Sequence, residues 1–188
     1  MNDNLKSVVK DVEKRMKQAI SVAREELSHV RTGRASPSLV EDLEIDYYGT
    51  IMKLKQIASI TTPDARTIII QPWDKNALSL IEKAIWKSDL GFNPQVEGGV
   101  VRIIIPPLTE ERRREMAKLA KKWVEEAKVS IRNLRREANE EIKKMEKGGE
   151  IPEDDSERAQ AEVQKLTDEY INELDGIWEK KEKEIMTV

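Results

Sequence analysis

Residues 106–152 read PPLTEERRREMAKLAKKWVEEAKVSIRNLRREANEEIKKMEKGGEIP, and this stretch decides the fold. Pro106 and Pro107 close what precedes them. Thr109 is a good N-cap, and Glu110 and Glu111 suit the positive end of a helix dipole. From there Met116, Ala120, Trp123, Ala127, Ile131, Leu134, Ala138, Ile142 and Met145 keep a spacing near 3.5 residues, the pattern of a helix packed along a partner. At 1.5 Å per residue this rod is about 55 Å long. Gly148, Gly149 and Pro152 break it. A rod with one apolar stripe has to bury that stripe against another element, so its partners must lie elsewhere in the chain.

Two segments qualify. Downstream, Ser156 is placed to cap a helix that carries Ala159, Val163, Leu166, Tyr170, Leu174, Ile177 and Ile185 on one side. Upstream, Leu5, Val9, Val12, Met16, Ala19, Ala23 and Leu27 step by three or four residues. That first helix should stop near Arg31-Thr32-Gly33, where Gly33 can take a left-handed cap and Ser36-Pro37 disfavours continuation. Three long helices with matching stripes are expected to form one bundle.

Between Arg34 and Ile105 the period changes. Leu43, Ile45 and Tyr47 alternate with polar residues, while Thr67–Ile70 and Val100–Ile105 are β-branched runs, all reading as strands. Asp74 can cap a helix whose Ala77, Leu80, Ile81, Ala84 and Ile85 share a face, with Gly91 and Pro94 marking its end. Gly98-Gly99 lacks the following Lys-Ser/Thr of a phosphate loop and reads as a turn before the last strand. The expected class is α+β: an elongated three-helix bundle, residues 1–30 and 107–188, with a small α/β domain, residues 31–106, inserted into it. Two crossings join them, and Thr32, Gly33, Arg34, Pro106 and Pro107 are the candidate hinge.

Composition narrows the function. Charged residues make up 37% of the 188 and aromatics 4%, a balance suited to solvent-washed helices rather than a thick core. There is no Cys, which excludes disulfides, thiolate metal sites and a cysteine nucleophile. His29 is the single histidine, so no His-pair metal site can be built, and it reads as a packing or capping residue at a junction. Asp154-Asp155 fits dipole capping at a helix start, and Trp73, Trp86, Trp123 and Trp178 read as core or semi-buried packing. No apolar run approaches the ~20 residues that cross a bilayer, and Asp3 sits where a transit peptide avoids acids. The expectation is a soluble cytoplasmic protein with no cofactor, no metal and no catalytic residue.

The net charge of −3 hides an uneven distribution. Arg112 to Arg136 holds ten bases against three acids, a net of seven positive charges, whereas Glu153 to Val188 holds twelve acids and five bases. Arg114, Lys118, Lys121, Lys128, Arg132 and Arg135 recur at helical spacing off the Trp123 stripe, a basic ridge suited to tracking phosphates. The cluster Arg132-Asn133-Leu134-Arg135-Arg136 is sharper, because its guanidinium forks lie together and grip phosphate bidentately. The same ridge also reads as a solvated face paired with Glu125, Glu126 or the acidic third helix.

The segment Val30-Arg31-Thr32-Gly33-Arg34-Ala35-Ser36-Pro37-Ser38-Leu39, followed by Asp46-Tyr47-Tyr48-Gly49, resembles the signature of bacterial ribosome recycling factors. Ile81-Glu82-Lys83-Ala84-Ile85, Ser88-Asp89-Leu90-Gly91, Pro106 to Arg113, Ile131-Arg132-Asn133 and Gln164 to Asp168 follow in the family's order and spacing. The resemblance covers essentially the whole chain. It departs at Phe92, where Leu is usual, and at Met52-Lys53-Leu54, which lacks the frequent Pro before Leu54.

This resemblance implies an L-shaped pair of domains, a three-helix bundle and a βαβ-rich second domain, in a shape likened to tRNA. It also implies binding to the RNA of the large ribosomal subunit after termination, as a monomer. Elongation factor G and its GTP hydrolysis would then drive the subunits from mRNA, and the chain itself would hydrolyse nothing. Carried onto this chain, Arg132 is the basic residue with the strongest match, with Arg31, Lys128, Arg135 and Arg136 beside it. The competing reading is a coiled-coil-like scaffold whose charged helices bind protein partners.

Overall fold

A computed structural model describes residues 2–187, so the outer bounds Met1 and Val188 of the expected bundle lie outside the described residues. The chain divides into two compact units: residues up to Val30 with Ala117–Lys183, and Arg31–Met116 with the chain end from Glu184.

The first unit is built from three helices. Helix α1 (Asp3–Ser28) opens on Asn2, whose side chain accepts from the Asn4 N–H at 2.8 Å. It buries Leu5, Val9, Val12, Met16, Ile20, Ala23 and Leu27. The stripe shifts from Ala19 to Ile20 because the larger side chain at the four-residue step removes more apolar surface from water. Helix α4 (Glu110–Lys147) buries Ala120, Val124, Ile131, Ala138, Ile142 and Met145 in an uninterrupted run of 38 residues. Val124 replaces the expected Trp123, which is half-buried beside it, since a ring of that size fits the seam's border better than its narrow centre.

The break after α4 is a Schellman motif: Glu150 N–H donates to Met145 O at 2.9 Å, and Gly149, at φ +73°, donates to Glu146 O at 3.0 Å. Helix α5 (Glu153–Met186) then begins three residues earlier than Ser156. Glu153, Asp154 and Asp155 supply the first-turn acids, and Pro152 O receives the Ser156 N–H at 3.1 Å. Ser156 is instead fully buried, its hydroxyl accepting from Gln160 Nε2 at 3.0 Å. Ala159, Val163, Thr167 and Leu174 line the buried side of α5.

The second unit holds β1 (Glu44–Tyr47), β2 (Thr50–Lys53), α2 (Leu54–Ile57), β3 (Ala58–Asp64), β4 (Thr67–Pro72), α3 (Leu78–Lys87), β5 (Pro94–Glu97) and β6 (Val100–Ile104). β1 and β2 form a separate hairpin, and the larger sheet runs β3-β4-β6-β5 with every neighbour antiparallel. β4 and β5 are therefore parallel, with β6 inserted between them and α3 as the crossover. Ile68 pairs with Ile103 and Ile70 with Val101, and all four are buried with Ile81 and Ile85 of α3. The alternation puts Ile69 and Arg102 on the opposite face. Periodicity along the sequence did not reveal β2, β3, β5 and α2, whose short segments, Thr50–Lys53 and Pro94–Glu97 above all, carry little apolar pattern of their own.

Two tryptophans depart from expectation. Trp123 and Trp178 are half-buried, whereas Trp73 and Trp86 are exposed, the first on the residue that follows β4 and the second on the outer side of α3.

Candidate nucleic-acid interface

Within the first unit, α4 carries the basic residues at positions fixed by its 3.6-residue turn. Arg132 and Arg136 are neighbours one turn apart, both exposed, and Lys118 and Lys121 are exposed on the same side. Among the described residues none of these four has an ion-pair partner within 4.0 Å. A polyanion could therefore meet their charges without first displacing an internal carboxylate.

Lys128 and Arg135 stand differently, at the border of the buried stripe. The Lys128 ammonium donates to the Asp175 carboxylate of α5 and lies 3.5 Å from Glu125, with the lysine side chain only 13% exposed. The Asp175 hydrogen bond holds its pKa above the ordinary lysine value, against the opposing effect of burial. Arg135 is half-buried: Nη1 donates to Gln164 Oε1 of α5 at 3.1 Å, while its Nε is buried without a protein partner. Both side chains are thus engaged in the bundle. Arg15–Glu137 at 3.0 Å and Arg24–Glu173 at 2.8 Å join α1 to α4 and α5 in the same manner.

Arg114 and Arg31 belong to the second unit. Arg114 pairs with Glu110 at 2.6 Å, but both side chains are largely exposed, so the pair contributes little and its guanidinium is cheaply released. Arg31 is half-buried, and its guanidinium carbon sits 4.8 Å from the centre of the Phe92 ring. Desolvation, then the Arg112 charge, lowers its pKa from the ordinary arginine value. Arg112 itself is paired with Glu115 at 2.7 Å.

The two segments expected to form the hinge, Thr32–Arg34 and Pro106–Pro107, both lie within the second unit, and the residue next to each is tied to the β3–β4 turn. Ala35 N–H donates to Ala65 O, and Ile105 N–H to Arg66 O, each at 2.7 Å. Thr32 is buried, with its hydroxyl accepting from the Arg34 N–H at 3.3 Å, and Gly33 takes φ +81°. Arg34, Pro106 and Pro107 are exposed. Arg31, Arg34, Leu39, Phe92, Ile105 and Pro107 help line a pocket of about 280 Å³ in this unit.

Sequence reasoning offered Glu125 and the acidic third helix as partners of the ridge without singling out Asp175 for Lys128, and it missed Phe92 as the platform of Arg31. Phe92 was visible as a departure from the family's usual Leu. The acidic excess of the third helix was visible, but which of its carboxylates meets Lys128 was not, because Asp175 lies 47 residues away on another helix. His29 is the C-cap residue of α1, donating its backbone N–H to Glu26 O.

Among the described residues no helix is long and apolar enough to cross a membrane. A family model described as ribosome recycling factor matches residues 23–186. The ribosome-recycling factor of Nitratidesulfovibrio vulgaris (strain DP4) is 55% identical over 98% of this chain and 100% of its own length. That of Bacillus licheniformis is 54% identical over 96% of this chain and 98% of its own. A solution structure of the ribosome recycling factor superposes with a TM-score of 0.81 at 47% identity, covering both chains completely. The T. thermophilus ribosome recycling factor, in a structure with E. coli elongation factor G bound to the E. coli post-termination complex, gives a TM-score of 0.70 at 47% identity over 97% of this chain and 98% of that one.

Proposed function

The chain belongs to the ribosome recycling factor family, and we propose that it binds the post-termination ribosome and, with elongation factor G and GTP, frees the subunits from mRNA for reuse. In this reading it catalyses no bond change. The nucleotide is hydrolysed by the elongation factor, and the chain acts in the cytoplasm as a monomer.

The observation that carries the contact is the set of four exposed, unpaired cations on α4. Lys118, Lys121, Arg132 and Arg136 face solvent along one side of a helix whose opposite side is consumed by the bundle. Their partner is the RNA of the large subunit: A-form RNA offers phosphates and 2′-hydroxyls on its accessible surface, and a row of guanidinium and ammonium groups meets them without reading sequence. Arg132 and Arg136, two forks one turn apart, form its centre. Arg114 and Arg31, in the second unit, are RNA contacts of their own, whereas Lys128 and Arg135 serve the row by holding α4 on α5. The crossings at Thr32–Arg34 and Pro106–Pro107 form the hinge through which factor motion is used.

The decisive assay is release of single ribosomes from puromycin-treated polysomes when the purified chain, elongation factor G and GTP are supplied. Release that needs all three components is expected. No release beside a competent control factor sinks the reading, and a coiled-coil-like scaffold for protein partners would not sediment with ribosomal subunits at all.

A further inference from the structure

One peptide bond of α5 joins a residue pair that is chemically able to rearrange. Asp175 is the single Asp or Asn that precedes a glycine in the chain. In such a pair no β-carbon shields the glycine nitrogen, so the aspartate side chain can reach it and close a five-membered imide.

Gly176 stands well inside α5, where a glycine lowers the local helix equilibrium about fivefold relative to alanine. Packing does not demand it. A β-carbon built at Gly176 would meet nothing within 4 Å, and its φ is not positive. Water has access, since the Asp175 side chain is 49% exposed.

Two features hold the reaction back. In a helix the Gly176 N–H is directed at the carbonyl four residues earlier, away from the Asp175 carboxyl. The carboxylate is also bound by the Lys128 ammonium of α4, whose side chain is only 13% exposed. Ring closure therefore requires α5 to open locally and the carboxylate to leave Lys128. Its rate is the product of that opening equilibrium and the intrinsic rate of attack. The glycine favours the opening, and the ion pair opposes it.

We propose that Asp175-Gly176 is a self-modification site of this chain, at which isoaspartate forms at a rate set by Lys128. The Gly176 nitrogen attacks Cγ of Asp175, and its proton, a solvent proton and one carboxylate oxygen leave as water, giving a succinimide. Water then opens the ring. Hydrolysis at Cγ restores aspartate, whereas hydrolysis at the main-chain carbonyl leaves the chain running through Cγ, with a free α-carboxylate. The isoaspartyl chain carries one more backbone atom, which puts α5 out of step after residue 175 and withdraws the carboxylate from Lys128. The clasp between α4 and α5 at this level is lost with it. This chemistry is independent of the ribosome reading.

The test stores the full chain for weeks at physiological temperature and neutral pH. Isoaspartate is measured by peptide mass spectrometry and by methyl transfer from S-adenosylmethionine with a protein isoaspartyl methyltransferase. It is expected at residue 175 ahead of every other Asp and Asn. Lys128→Met should raise its rate about threefold to fivefold, the range that an ion pair to a half-exposed carboxylate corresponds to. Gly176→Ala, whose added carbon has open space, should lower it about fivefold or more. Arg24→Met breaks the ion pair to Glu173 on the same helix, so it controls for general loosening of the bundle and should leave the rate at the wild-type level. No isoaspartate at 175, earlier accumulation at another residue, an unchanged rate in Lys128→Met or Gly176→Ala, or an equal rise in Arg24→Met overturns the proposal.

Discussion

The Lys128 ammonium of α4 is bound by the Asp175 carboxylate of α5, and this one contact removes a base from the exposed basic row of α4 while clasping two helices. Its stability effect has a defined pH signature. The folded pKa of Lys128 is raised above the ordinary 10.5, so the pair stabilises the fold fully below that pH and loses its contribution as pH climbs through the higher folded value. Asp175→Asn should lower stability by about 1 kcal/mol at pH 8, a value kept small because Asp175 is half exposed. The difference from wild type should shrink above pH 10.5 in thermal unfolding. A constant difference across that window would show that the pair contributes by packing alone.

Arg132→Ala should weaken large-subunit binding about tenfold at low salt and reduce the slope of log affinity against log salt by about one phosphate contact. Arg136→Ala should act alike. Lys128→Ala should leave the slope nearly unchanged and lower the unfolding temperature instead. Sedimentation across a salt series, beside thermal unfolding, separates the two classes. Equal slopes for all three variants and wild type would remove the ridge from the mechanism.

The Arg31–Phe92 contact sets a guanidinium 4.8 Å from an aromatic ring at a position where the family usually has Leu. Phe92→Leu, which restores the family's usual residue, should cost about 1–2 kcal/mol through lost core area and a lost cation–π contact. A double-mutant cycle with Arg31→Ala in urea unfolding should return a coupling of about 0.5–1 kcal/mol. Strict additivity would mean the stacking contributes nothing beyond packing.

Tyr48→Asn should raise stability by about 1 kcal/mol, because Asn tolerates the left-handed backbone that the hairpin tip demands. The urea midpoint should rise without a change in slope. A fall in midpoint would show that the Tyr47–Tyr48 ring contact outweighs the strain.

At the first crossing, Gly33 sits at φ +81°, where proline cannot fit and alanine is strained. Gly33→Ala should therefore slow polysome breakdown while sparing large-subunit sedimentation. Recycling at the wild-type rate would show that backbone freedom at this position is not used.

The helices were legible because their signal is local. A stripe such as Val9, Val12 and Met16 repeats with the helical turn, and solvent on the other side leaves it one place to go. The β-branched runs of β4 and β6 announced themselves in the same way, whereas β2 and β5 exist only because a neighbouring strand accepts their hydrogen bonds. Shifts such as Ala19 to Ile20 reflect competition for the seam by volume, which a periodic count does not weigh.

The sequence by itself determined the three rods, the inserted α/β segment, the uneven charge and the family signature, all of which follow from order along the chain. Tertiary structure decided which charges remain free: Arg132 and Arg136 face water, while Lys128, on the same helix, meets an acid 47 residues away. It likewise brought Tyr47 against Asp74, 27 residues away, through a hydrogen bond. Helical and strand periods are written in neighbouring residues, but the pairing or exposure of a side chain depends on what a distant segment brings against it, and electrostatic attraction is spent on whichever partner lies within a few ångströms.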